Sequence, residues 1–198
     1  MIKFINTNDS EPYKKFMQMY KKALLHKQEY IEALNVSSYS FKENEVDSRY
    51  VNLKILDNDN FIFFSNYQSA KAEQFELHNK ISCSIFWSSI YLQIRMKGKI
   101  KKTSRKLNLD YFSNRSIKKN ALAISSMQSR PIESFELVTK NYNEAMIKED
   151  LNTCPEYWGG YAFTPYYFEF WEGNESRLNK RDKYEMNKGH WDHSVLQP

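Results

Sequence analysis

At 198 residues the chain has room for one domain with its own hydrophobic core, and 41% apolar and 16% aromatic residues against 5 glycines and 5 prolines exclude low-complexity and collagen-like classes. The net charge of +5 favours anionic partners, but lysines and arginines are scattered among acids, which disfavours nucleic acid and leaves phosphorylated small molecules. Cys83 and Cys154 stand far apart, with no C-x-x-C and no histidine at ligand spacing, so free thiols are expected in place of a disulfide framework or zinc site. No stretch approaches the roughly 20 apolar residues of a membrane span, and "MIKFINTNDSEPYKKF" lacks the apolar core of a leader, so the expectation is a soluble cytoplasmic protein.

In chain order, Ser10 and Pro12 mark a helix start, and Phe16, Met17, Tyr20, Ala23 and Leu24 recur at helical spacing, predicting a helix over 11–33. "ALNVSSYSF", "SRYVNLKIL" and "NFIFFSN" read as strands of an antiparallel meander, the last two joined by a turn at "DNDN". "SAKAEQFELHN" reads as a short serine-capped helix, and "ISCSIFW" and "IYLQIRMKGKIKKT" return to strand alternation, with Ile90, Leu92, Ile94 and Met96 toward the core. These first barrel strands occupy 34–102. Helical character resumes over 104–115, and Ser129 with Pro131 predicts a further helix start, completing a helical segment over 104–148. After a loop at "NTCPEYWGG" come "PYYFEFW", a turn at Gly173 and Asn174, "SRLNKRDKYEM", a turn at "NKG" and "HWDHSVL", C-terminal strands within 160–198. Without repeats or linkers, residues 1–198 read as a single mainly β domain with flanking helices (α+β), six or more antiparallel strands forming a small barrel.

Spacing singles out several polar groups. Tyr111 and Arg115, four apart, share a helical face, with Lys118 and Lys119 close behind: a phenol, a guanidinium fork and an ammonium suited to clamping phosphate, or else a solvated basic helix end. Lys71 lies in the first turn of the helix that begins near Ser69, where the helix dipole disfavours a cation. An anionic ligand would account for it, and an exposed lysine of small cost is the alternative. By strand parity Arg49 and Lys54 point to opposite faces, whereas Arg177, Asn179 and Arg181 fall on one face and would place two like charges side by side unless something anionic or flat lies between. His190 and His193 point apart on a strand without a third ligand, so no metal is expected. No G-x-G-x-x-G, Walker loop or G-x-S-x-G occurs, which sets aside doubly wound nucleotide folds.

Taken in order, "SRYVNLK", "FFSNYQSAKAEQ", "LQIRMKGKI", "YFSNRS", "SSMQSRPIESFE", "YWGGYAFTPYYFEFWEG" and "RLNKR" resemble the pyridoxine/pyridoxamine 5′-phosphate oxidases, from about Glu45 to the final "LQP". The resemblance implies an FMN-binding split β-barrel and a homodimer with FMN in clefts made by both subunits. It places Arg49, Tyr50, Val51, Asn52, Leu53, Lys54, Phe64, Ser65, Lys71, Gln93, Gln128, Ser129, Trp171 and Arg181 around FMN. Lys54, Tyr111, Arg115 and Lys119 would surround the substrate phosphate, with Arg177 and Asn179 beside the pyridine ring as the catalytic pair. The implied reaction converts pyridoxamine or pyridoxine 5′-phosphate to pyridoxal 5′-phosphate, with O2 reduced to H2O2. Asn179 stands where the family has histidine, Ala70 where an arginine precedes the lysine, and Lys119 where serine is usual. Those departures keep two further readings in play, an oxidase of another planar ring such as a phenazine precursor and a non-catalytic binder of FMN or pyridoxal phosphate.

Overall fold

The computed structural model describes residues Met1–Pro198. Its elements are β1 (Lys3–Thr7), α1 (Glu11–Leu25), β2 (Ala33–Ser40), β3 (Glu45–Asn58), β4 (Asn60–Asn66), α2 (Ala70–Leu77), β5 (Lys80–Trp87), β6 (Leu92–Lys102), α3 (Arg105–Ser113), α4 (Ile117–Ser125), α5 (Phe135–Lys148), β7 (Trp158–Glu172), β8 (Lys180–Asn187) and β9 (His190–Val195). Six strands close into a ring of antiparallel pairs, β3 to β2, β5, β6, β7, β4 and back to β3. The length of β7 permits closure: residues 158–163 pair with β4, residues 167–172 pair with β8, and β6 runs along both parts. Outside the ring, β1 lies parallel to β3, and β9 extends the sheet beyond β8.

Strict alternation builds the core. Leu92, Ile94, Met96 and Ile100 of β6 are buried while the residues between Leu92 and Met96 are not, as a strand with one face inward requires. Phe61 stacks on Phe163 with ring centres 5.2 Å apart and meets Phe16 edge-on at 5.0 Å. Helix α1 presents Tyr13, Phe16, Tyr20 and Ala23 to this cluster, one stripe at helical spacing. Burying each large side chain of this kind contributes about 1.5–3 kcal/mol. Cys83 and Cys154 are buried free thiols, and no helix is long and apolar enough to cross a membrane.

Several elements differ from the sequence-based expectation. The helix expected over 11–33 ends at Leu25, because Lys27 takes φ 54° and Gln28 N–H turns back to the Ala23 carbonyl. Ser10 and Ser69 occupy N-cap positions without a capping side-chain bond, and the Ser69 hydroxyl donates to the Asn66 carbonyl. Ile90 belongs to a 3-10 turn, Ser88–Ile90, not to β6. Helix α4 is additional, and α5 starts at Phe135 because Ser134 caps it by accepting from Leu137 N–H, while Ser129 and Pro131 stay in the preceding loop. Strand β1 is also additional, and β7 begins at Trp158, inside the stretch read as a loop. There the glycines have a packing reason: a Cβ at Gly159 would lie 2.2 Å from the Tyr67 hydroxyl, and one at Gly160 would lie 2.5 Å from Thr103 Oγ1.

Candidate functional site

A cavity of about 640 Å³ opens beside β3 and β4, closed by α3, α4 and the start of the loop that follows α4. That volume is within the roughly 300–1,000 Å³ of small-molecule sites. An aromatic stack lines it: Phe64 lies on Tyr111 with ring centres 3.6 Å apart and planes 6° from parallel, and Trp158 stacks on Phe64 at 5.4 Å. The Arg115 guanidinium covers the Trp158 ring at 4.4 Å, an arrangement that holds the fork flat.

Tyr111, Arg115, Lys119 and Lys54 all reach this wall. They do so by a different route from the one expected, since α3 ends at Ser113 and Arg115 follows the cap residue Asn114, outside the helix. Arg115 N–H donates to the Phe112 carbonyl and its Nη1 to Asn120 Oδ1 at 3.3 Å, with no carboxylate paired to it. Burial raises the Tyr111 pKa, opposed by the charge of Arg115 and reinforced by that of Glu32. Lys54 sits where the β3–β4 register slips between Leu53 and Ile55, and it pairs with the Glu32 carboxylate. The expected ligands of this strand separate: Tyr50, Val51, Asn52 and Lys54 line the wall, whereas Leu53 is fully buried in the core.

Lys71 is buried, not exposed: 6% of the residue is accessible. Its ammonium donates to Ser69 Oγ at 3.1 Å and Ser65 Oγ at 3.3 Å and has no carboxylate partner. Burial first, then the Arg49 charge, lowers its pKa to about 8 against a smaller contrary pull from Asp47. A buried cation held only by neutral oxygens is a site short of an anion. Ser65 Oγ donates to Gln128 Oε1 at 3.1 Å, which fixes Gln128 on the same wall. Arg49 lies off the wall, donating to Ser38 Oγ at 2.6 Å and Gln74 Oε1 at 2.9 Å and pairing with Asp47. Ser129, at φ 69°, is also outside it.

A second group lies off this wall. Gln93, Trp171 and Arg181 form one row across β6, β7 and β8, each opposite the next. Arg181 is held by Glu169, whose side chain is only 2% exposed: Nε at 3.0 Å and Nη2 at 2.8 Å donate to Oε1. Glu169 Oε2 accepts from Arg95 at 2.9 Å and from the Tyr167 hydroxyl at 2.8 Å. Burial alone would raise the Glu169 pKa, but the bonds from Tyr167 and Arg181 with the charge of Arg95 carry it below the usual value. Arg177, Asn179 and Arg181 do not share a strand face as expected. Strand β8 starts at Lys180, Arg177 adopts φ 62°, and Asn179 Oδ1 accepts from Asn174 N–H at 3.1 Å in a turn of its own. Nearby, His193 Nε2 lies 3.0 Å from Asp182 Oδ1 and His190 Nε2 lies 3.0 Å from Asp192 Oδ1.

Three residues of consequence were not singled out from sequence: Trp158, Glu32 and Glu169. Only Glu169 carried a signal, a lone acid inside the apolar strand "YYFEFW", which implies a buried carboxylate with a cationic partner.

A closed six-strand ring with flanking helices and a cationic cleft on its wall defines a mainly β protein of the FMN-binding split-barrel class. The same architecture occurs in PhzG from Burkholderia lata, solved with tetrahydrophenazine-1-carboxylic acid, at 23% identity and a TM-score of 0.89 over 96% of this chain and 93% of that one. It recurs in a pyridoxamine 5′-phosphate oxidase-related, FMN binding protein from Nostoc punctiforme, with a TM-score of 0.80, 12% identity, and coverage of 96% and 99%. Residues 21–146 match the family model described as pyridoxamine 5′-phosphate oxidase, and residues 158–198 match the pyridoxine 5′-phosphate oxidase C-terminal dimerisation region. The pyridoxine/pyridoxamine 5′-phosphate oxidase 1 of Hydrogenovibrio crunogenus is 35% identical over 96% of this chain and 89% of its own length, and a Legionella pneumophila counterpart is 34% identical with the same coverage. The chain belongs to the pyridoxamine 5′-phosphate oxidase family.

Proposed function

We propose that this chain, one domain over 1–198, binds FMN and oxidises pyridoxamine or pyridoxine 5′-phosphate to pyridoxal 5′-phosphate, with O2 as electron acceptor and H2O2 as by-product. The observation that carries this reading is a single cavity wall bearing two distinct sets of anion-holding groups, Lys71 with Ser65 and Tyr111 with Arg115 and Lys119. A phosphorylated ring lying against a phosphorylated cofactor requires such a pair of sites.

In this reading Lys71 and Ser65 hold the FMN phosphate, and Gln128, Phe64, Tyr50, Val51, Asn52 and Lys54 border the cofactor. Bound FMN supplies a two-electron acceptor that O2 regenerates. Tyr111, Arg115, Lys119 and Lys54 bind the substrate phosphate and so orient the reacting carbon. The alcohol substrate loses two electrons and two protons to become the aldehyde. The amine substrate loses the same to give an imine, which water hydrolyses to aldehyde and ammonia. Arg177 and Asn179, which also lie off the wall, would hold the substrate ring from the second copy of a dimer. Gln93, Trp171 and Arg181 lie off the wall, and residues 158–198 match a dimerisation region, which supports a homodimer whose second copy brings this row to FMN.

The test compares pyridoxamine 5′-phosphate with pyridoxamine. Losing at least two charge-assisted bonds of ~1.5–3 kcal/mol each lowers kcat/KM by about 100-fold or more. Equal turnover of both would sink the reading. Turnover of an unphosphorylated planar ring instead would favour the phenazine-precursor reading that Asn179 prompts, and FMN binding without peroxide would leave a binder.

A further inference from the structure

Of the cations on the cavity wall, Lys71, Arg115 and Lys119 have no carboxylate partner, whereas Lys54 is paired with Glu32. Glu32 lies in the turn just before β2, and its carbonyl accepts from Leu53 N–H at 2.8 Å, which fastens it beside Lys54. Its side chain is 21% exposed, with Oε1 on Lys54 and Oε2 on the α-amino group of Met1. The negative charge extends to Tyr111, where it adds to the rise in the phenol pKa. A fixed carboxylate beside Lys54 repels any anion that approaches the same ammonium and already neutralises much of its charge.

Resting on the reading of this wall as a phosphate clamp, we propose that Glu32 sets the clamp's selectivity for phosphorylated ligands as a built-in counter-anion. An incoming phosphate group competes with it for Lys54, so the phosphorylated ring is held less tightly and released faster than the same cations without Glu32 would allow.

Calorimetric titration of the FMN-loaded protein tests this, with pyridoxal 5′-phosphate, inorganic phosphate and pyridoxal as probes, in wild type, E32Q, K54M and the double variant. E32Q is expected to bind both phosphate probes roughly two- to fivefold more tightly, the span of a partly exposed ion pair. Pyridoxal affinity should not change, KM for the phosphorylated substrate should fall, and the gain should vanish in the K54M background. If E32Q binds phosphate no better than wild type while its Tm falls, Glu32 only ties the start of β2 to β3 and the proposal is overturned. Absence of phosphate binding in both forms overturns it as well. If wild type ignores pyridoxal 5′-phosphate yet inorganic phosphate binds more tightly to E32Q, the substrate assignment falls and the role of Glu32 stands.

Discussion

Lys71 shows how one side chain can trade stability for binding. Its pKa of about 8 lies below the ordinary lysine value of 10.5, so the ligand-free fold disfavours its charge. Unfolding therefore takes up a proton between about pH 8 and 10.5, and the free protein gains stability as pH rises through that window. A bound phosphate reverses the balance by favouring the ammonium form. FMN affinity should accordingly weaken as pH climbs past about 8, with proton uptake on binding measurable from buffer-dependent heats. Lys71→Met should raise the Tm of the free protein and weaken FMN binding by roughly 10- to 150-fold, from ~1.5–3 kcal/mol for a charged hydrogen bond. A variant with unchanged FMN affinity would remove Lys71 from the site. At the ring end, Asn179→His restores a group that titrates near neutral pH, and a sharp rise in turnover would make that departure a functional one.

At the scale of elements, β2, β5 and β6 were legible from alternation because one face of each is buried, and β4 from the continuous apolar run "FIFF". The start of β7 was not, because Gly159 and Gly160 read as a turn although they are there to let Tyr67, Asn108 and Thr103 approach the strand. Gly159→Ala should cost about 1–3 kcal/mol through overpacking against buried Asn108, seen as a lower Tm. The site was legible in part. Helical spacing drew attention to Tyr111 and Arg115, yet the contact that orients Arg115 is the Trp158 ring, distant in sequence and unmarked by any period. Strand parity misled for Arg177, because the side chains of Asn174 and Asn179 close their own turn before β8 begins. Parity did separate Arg49 from Lys54, which lie off and on the wall, but the register slip beside Lys54 is not visible in alternation.

For the whole molecule, the decisive feature is that the wall carrying Lys71 and Arg115 and the row carrying Gln93, Trp171 and Arg181 lie on different parts of one chain. A shared site predicts complementation. Lys71→Met and Arg181→Met proteins, each impaired alone, should regain about a quarter of wild-type activity when unfolded and refolded together, because half the random dimers are mixed and each holds one intact site. No recovery would place each site within a single chain. Aerobic turnover of pyridoxamine 5′-phosphate by the FMN-reconstituted protein, with product, peroxide and oxygen followed together, tests the proposed oxidase activity. One pyridoxal 5′-phosphate and one H2O2 are expected for each O2 consumed. Flavin-loaded protein that yields neither product from this substrate would contradict that activity.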